Sequence, residues 1–157
     1  TLFICWAAIA GLYHYYALPK NVVEKKIFGV FPHEFNTMSK LFFNFQHTLW
    51  IPHSRYFKFK PEEIRKIPCL EVLSESKESG VCVIASKDKK QIFMAGHLEY
   101  DENALRREFQ RDIGKGACID LPKNYFVNDD PKAAIAKVWH QQGILFYGNW
   151  LQHYVKE

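Results

Sequence analysis

Phe3-Ile4-Cys5-Trp6-Ala7-Ala8 is the stretch whose reading decides the fold. Residues 1–4 form a short, mostly apolar run that reads as the end of a buried strand. Residues 6–16 suit a helix that is apolar nearly all round, and such a helix belongs in a core. Cys5 stands at the junction. In α/β enzymes a sharp strand-to-helix turn lifts a nucleophile above the sheet edge, and a helix N-terminus favours thiolate over thiol. A buried structural cysteine is the competing reading of the same pattern, because free Cys is among the most buried residue types. The chain opens inside this apolar run without an initiating Met, as a chain beginning in the middle of a domain would.

The rest of the composition narrows the class. With 157 residues, 48% hydrophobic and 24% charged, the length is that of one domain with a real core. Aromatics at 16% exclude a disordered or low-complexity chain. The net charge of +4 is spread along the sequence without the dense basic stripe of a nucleic-acid binder, so the expected partner is a small molecule or another protein chain. Cys5, Cys69, Cys82 and Cys118 lie at irregular spacings with no C-x-x-C pair, which argues against a zinc site or a disulfide framework and fits reduced cytosolic thiols. The longest apolar run, residues 2–13, falls short of the about 20 residues a bilayer requires.

Downstream, residues 26–31 and 48–51 read as short strands, 61–66 as a helix with Pro61 at its first position, and 70–73, 81–86 and 91–95 as strands. The last two flank the polar turn Lys87-Asp88-Lys89-Lys90 and suit a hairpin. A helix is expected over 102–113, capped by Asp101 and stopped by Gly114, with Leu105 and Phe109 as an apolar i,i+4 pair. Another is expected from about Pro131 onward, with Gly143 as its weak point. Mixed strands and helices with a buried strand leading into a buried helix predict an α/β sandwich.

A nucleophilic Cys needs a base. Among seven histidines, His97 follows the strand at 91–95 and the turn at Gly96, where open α/β sheets place their ligands. Glu99, two residues on, is placed to orient an imidazole and stabilise its protonated form. His53, at the end of another expected strand, is the chief rival.

Several blocks in order carry a resemblance: Ile4-Cys5-Trp6, Ala10-Gly11-Leu12-Tyr13-His14, Lys26 ahead of Phe28-Gly29-Val30-Phe31, Pro52-His53-Ser54-Arg55, Gly96-His97-x-Glu99-Tyr100-Asp101, Pro122-Lys123-Asn124-Tyr125-Phe126-x-Asn128-Asp129-Asp130-Pro131, and Asn149-Trp150-Leu151. Together they resemble the homoserine O-acyltransferase family of methionine biosynthesis, over nearly the whole chain. The resemblance implies a three-layer α/β sandwich of the class I glutamine-amidotransferase-like fold. Residues 1–157 would be the C-terminal portion of a single acyltransferase domain, its N-terminal part missing and these residues inactive alone.

By the same resemblance Cys5 matches the acyl-accepting nucleophile, His97 the general base and Glu99 its orienting acid. Lys26, Ser54 and Arg111 match positions that hold the amino acid. The residues alone read more plainly: Lys26 beside Glu24 and Lys25 as a solvated strand edge, Ser54 as a turn cap, Arg111 as an ion-pair partner of Glu108. Two departures stand out. Ala7 replaces a common Gly and adds a methyl at the nucleophile turn, and Leu98 replaces a common Pro and removes its backbone restraint.

The implied activity moves an acetyl or succinyl group from acyl-CoA to the hydroxyl of homoserine through an acyl-cysteine, with the Trp6 backbone N–H as an oxyanion donor. No cofactor or metal is expected beyond acyl-CoA as co-substrate. The expected setting is a cytoplasmic homodimer without nucleic-acid or membrane partners. Serine O-acetyltransferase activity, as in cysteine biosynthesis, is the nearest alternative, followed by a glutaminase-type amidotransferase sharing Cys and His-x-Glu. A non-catalytic binding or oligomerisation fragment is the alternative from a different class.

Overall fold

The computed structural model describes residues 1–46 and 48–156. Six strands run β1 Leu2–Ile4, β2 Asn21–Phe35, β3 Leu49–Lys58, β4 Leu70–Ser76, β5 Gly80–Ser86 and β6 Ile92–Met94. The helices are α1 Trp6–Tyr16, α2 Pro61–Arg65, α3 Ala104–Gly114 and α4 His140–Trp150. The strands form one sheet in the order β1-β6-β5-β4-β2-β3. β1 and β6 are parallel, and every other neighbouring pair is antiparallel.

The apolar runs at the centre of the sequence alternate between two cores, one on each face of this sheet. Ile92 and Met94 join Leu105 of α3 and Phe146 of α4 on one face. Phe93 and Ala95 join Ala8 and Leu12 of α1 and Ile64 of α2 on the other. A strand covered on both faces has no polar side to show, which is why residues 81–85 and 92–95 are continuously apolar.

Several elements depart from their expected bounds. β2 and β3 are much longer than the short strands expected at 26–31 and 48–51, because they pair with each other from Asn21↔Lys58 to His33↔Leu49. α3 starts at Ala104, and Asp101 instead accepts from the Asn103 N–H at 2.8 Å, just ahead of the helix. No helix begins at Pro131. Residues 125–136 fold back on themselves, with Ala136 N–H bonded to Tyr125 O at 2.8 Å and Val127 N–H to Ala134 O at 2.9 Å. Those long-range bonds satisfy the backbone that a helix would have satisfied locally. α4 begins only after the fully buried Trp139.

Candidate active site

The parallel pairing of β1 with β6 (Leu2↔Ile92, Phe3↔Phe93, Ile4↔Met94) brings two C-terminal strand ends side by side. Cys5 leaves one end and Gly96-His97 the other. The Cys5 N–H donates to Met94 O at 2.7 Å, tying the two exits together. Cys5 has φ 50° and ψ −106°, in a region a side-chain-bearing residue rarely adopts. Such strain concentrates at functional turns, where the surrounding packing enforces it. Trp6 is the first residue of α1, so its N–H has no acceptor within the helix. Ala7 is exposed in the first turn of α1.

His97 lies close enough to Cys5 to feel its thiol and, through Nδ1, bonds Glu99 Oε1 at 2.6 Å. Burial disfavours its charge, but the interactions with Cys5 and Glu99 outweigh that and raise its pKa to about 9. The ring stacks on Tyr100 with centroids 4.1 Å apart. Its backbone N–H donates to Pro52 O at 2.8 Å. With Nδ1 engaged by Glu99, Nε2 is the nitrogen left for Cys5.

Lys26, Ser54 and Arg111 come together around two carboxylates of α3. Lys26 lies where the β2–β3 register slips between Val22 and Ile27, and a bulge re-aims side chains in this way. It is not a solvated edge residue: its side chain is 8% exposed, its Nζ sits 2.7 Å from Asp112 and 3.7 Å from Glu108, and it packs over the Phe28 ring. Ser54 Oγ donates to Glu108 Oε2, and Tyr100 Oη donates to Glu108 Oε1 at 2.7 Å. Arg111 pairs with Asp112 at 2.7 Å and reaches Glu108 only at 4.0 Å. Glu99, Tyr100, Glu108 and Arg111 line one cleft of about 490 Å³. Tyr100 therefore connects the two groups, its ring on His97 and its hydroxyl on Glu108.

The sequence reading missed Glu108, Asp112 and Tyr100 as site residues. Glu108-x-x-Arg111-Asp112 on one helix was the available signal. His53, the rival base, is fully buried and engaged elsewhere. Its Nδ1 accepts from Arg55 Nε at 3.0 Å, so its Nε2 carries the proton and donates to His33 Nε2 at 3.3 Å. His33 Nδ1 in turn donates to Phe31 O at 2.9 Å. These bonds define both tautomers. Gly96 packs on this pair, and a Cβ there would meet His53 at 2.9 Å, so the network forms the floor beneath the His97 loop.

His33, His53 and Cys82 offer three possible metal-ligand atoms within 4.8 Å of one another. The buried Arg55 guanidinium beside them opposes a further cation, and both histidines already have hydrogen-bond partners. Burial pushes the Cys82 thiol up to about 12, so it is no nucleophile.

The histidine pair has a measurable consequence. Burial, reinforced by the Arg55 charge, lowers the His33 pKa from 6.5 to about 4, and His53 is pushed down by the same causes. The folded state thus prefers neutral imidazoles. Their contribution is complete above the unfolded value and is lost as pH falls from 6.5 toward 4. For His33 alone that amounts to on the order of 3 kcal/mol. Urea unfolding across this window should show a steeper pH slope for the native protein than for His33→Asn. Equal slopes would refute the assignment.

The fold is that of the class I glutamine amidotransferases. The chain superimposes on a glutamine amidotransferase from Methylobacillus flagellatus with a TM-score of 0.68 at 12% identity, covering 99% of this chain and 64% of that one. It superimposes on another from Thermotoga maritima with a TM-score of 0.64 at 14% identity, covering 99% and 62%. All 157 residues match the family described as homoserine O-succinyltransferase, and the chain belongs to that family of homoserine O-acyltransferases. It is 48% identical over 156 residues to a homoserine O-acetyltransferase of Clostridium novyi, covering 99% of this chain and 52% of the relative. With the homoserine O-acetyltransferase of Thermotoga petrophila it shares 47% over 153 residues, covering 98% and 50%. The chain thus spans about half the length of these curated relatives.

Proposed function

We propose that the protein transfers an acetyl or succinyl group from acyl-CoA to the hydroxyl of homoserine through an acyl-cysteine. The observation that carries this reading is the Cys5–His97–Glu99 chain at two adjoining strand ends, joined through Tyr100 to the Lys26–Ser54–Arg111 cluster. The chemistry follows from those positions. The Cys5 thiolate, paired with protonated His97, forms a bond to the thioester carbon, and the oxyanion is met by the Trp6 N–H at the start of α1. As the oxyanion collapses, the C–S bond to CoA breaks and the His97 proton goes to the departing thiolate. Acylation removes the Cys5 charge that helped His97 hold its proton, so neutral His97 can then act as a base. It takes the homoserine hydroxyl proton while the oxygen forms the ester bond and Cys5 leaves as thiolate. Each cycle returns both groups to their starting protonation.

The substrate-holding cluster is electrically balanced. Lys26 and Arg111 carry positive charge, Glu108 and Asp112 negative, and a zwitterionic amino-acid head matches both. The Arg111 guanidinium suits the substrate carboxylate, and Glu108 suits the ammonium group. On the same reading the reaction belongs to methionine biosynthesis in the cytoplasm, needs no cofactor beyond acyl-CoA, and is carried out by a homodimer. No helix among the described residues is long and apolar enough to cross a membrane.

The test is CoA release by the whole protein with acetyl-CoA or succinyl-CoA, and with homoserine or serine as acceptor, alongside ammonia release from glutamine. Homoserine-dependent CoA release supports the reading, and ammonia release without acyl transfer overturns it. Arg111→Lys keeps the charge but loses the planar fork. It should raise the homoserine KM roughly 10- to 100-fold, the scale of a charge-assisted hydrogen bond, while acyl-enzyme formation stays near the native rate. Equal damage to both half-reactions would assign Arg111 a structural role in α3.

A further inference from the structure

We propose that one stripe of α4 and its N-cap, Trp139, Gly143 and Tyr147, is the device that holds the His97–Glu99 pair in register, with Tyr147 as the positioning residue of the Glu99 carboxylate. The three residues are spaced i, i+4 and i+8 and face the same loop, as the helical period requires. Trp139 Nε1 donates to Tyr100 O at 3.0 Å. Gly143 lies against Leu98, the residue between His97 and Glu99, so closely that a Cβ would stand 2.5 Å from Leu98 O. Tyr147 Oη donates to Glu99 Oε2 at 3.2 Å, while the other carboxylate oxygen holds His97 Nδ1 at 2.6 Å.

Glu99 needs this help. Its side chain is 40% exposed, and a terminal carboxylate torsion has a broad, soft profile. A bond at each oxygen restricts the rotation that would break the one to His97. Burial and the neighbouring Glu99 push the Tyr147 pKa up, so its hydroxyl stays protonated and can donate. The Tyr147 ring is itself set perpendicular to the fully buried Phe146. Leu98 is 4% exposed and pinned beneath Gly143. Packing against α4 thereby restrains the backbone between His97 and Glu99. Gly143 marks a close approach and not a weak point in the helix.

The proposal rests on the acyl-cysteine reading only for its kinetic arm. The titratable groups facing His97 are Cys5 from the β1–α1 turn, His53 from β3, and Glu99 and Tyr100 from its own loop. Tyr147→Phe alters none of these and removes one hydroxyl. With Glu99 free to turn, its support of the imidazolium weakens, so the His97 titration should move to lower pH by roughly half a unit or more. NMR of the labelled imidazole in the whole protein reads this without reference to any activity. In the same variant kcat for acyl transfer should fall roughly tenfold with the homoserine KM within about twofold, as loss of orientation predicts. Gly143→Ala pushes on the loop from a second position and should shift the titration in the same direction. An unmoved His97 titration in Tyr147→Phe overturns the proposal, even if thermal stability drops. If the native protein transfers no acyl group, the acyl-cysteine reading fails while the titration still decides the role of Tyr147.

Discussion

Replacing Cys5 with alanine should reduce acyl transfer by roughly 10⁴-fold or more, the scale on which loss of a covalent nucleophile acts. Intact mass after mixing the whole native protein with acyl-CoA alone should show one added acyl group, and Cys5→Ala should show none. Native protein that turns over but stays unmodified would exclude the covalent route. The same variant makes a second, independent claim. Cys5 contributes to the raised pKa of His97, so its removal should lower that titration from about 9 toward the ordinary 6.5. Alkylating Cys5 should do the same, since it mimics the acylated state in which His97 has to act as a base.

His97→Asn should cost roughly 10²- to 10⁴-fold in overall transfer, the usual contribution of a positioned proton-transfer group. Its pH dependence carries a sign. The first half-reaction needs His97 protonated to deliver a proton to departing CoA, so its rate should hold below about 9 and fall as pH rises through that value. Rapid-mixing measurement of CoA release without acceptor should show this limb in the native protein and lack it in His97→Asn. A limb of equal size in both would assign it to another group. Tyr100 does not compete for that assignment, because burial and the Glu108 carboxylate both push its pKa up, out of the range concerned.

Much of this site was legible locally. A short apolar run, one Cys and a second apolar run at helical length describe a strand, a turn and a helix, but not their burial. α1 buries only Ala8, Gly11 and Leu12 and leaves Trp6, Tyr13 and Tyr15 exposed, so it is not the core helix its all-round apolar pattern predicted. His97 and Glu99 were found from their place after a strand, and they do bond each other. Long-range pairing was not legible. The extents of β2 and β3 depend on each other, and the helix expected from Pro131 gave way to backbone bonds between residues 125–127 and 134–136. Periodicity within a window contains no information about such partners.

What the sequence determined by itself is the set of reacting groups and their local geometry: a Cys at a strand–helix turn, an imidazole and a carboxylate two residues apart, and an Arg on an amphipathic helix. What only the tertiary structure decided is which of them meet. The parallel β1–β6 pairing sets Cys5 beside His97 across roughly ninety residues of chain, and the bulge in β2 turns Lys26 inward to α3. His53 and His97 are alike as sequence. One is sealed beneath Gly96 and held neutral, while the other stands half-buried between a thiol and a carboxylate and holds its proton. The difference is one of dielectric and of neighbouring charge, and both are properties of the folded surroundings.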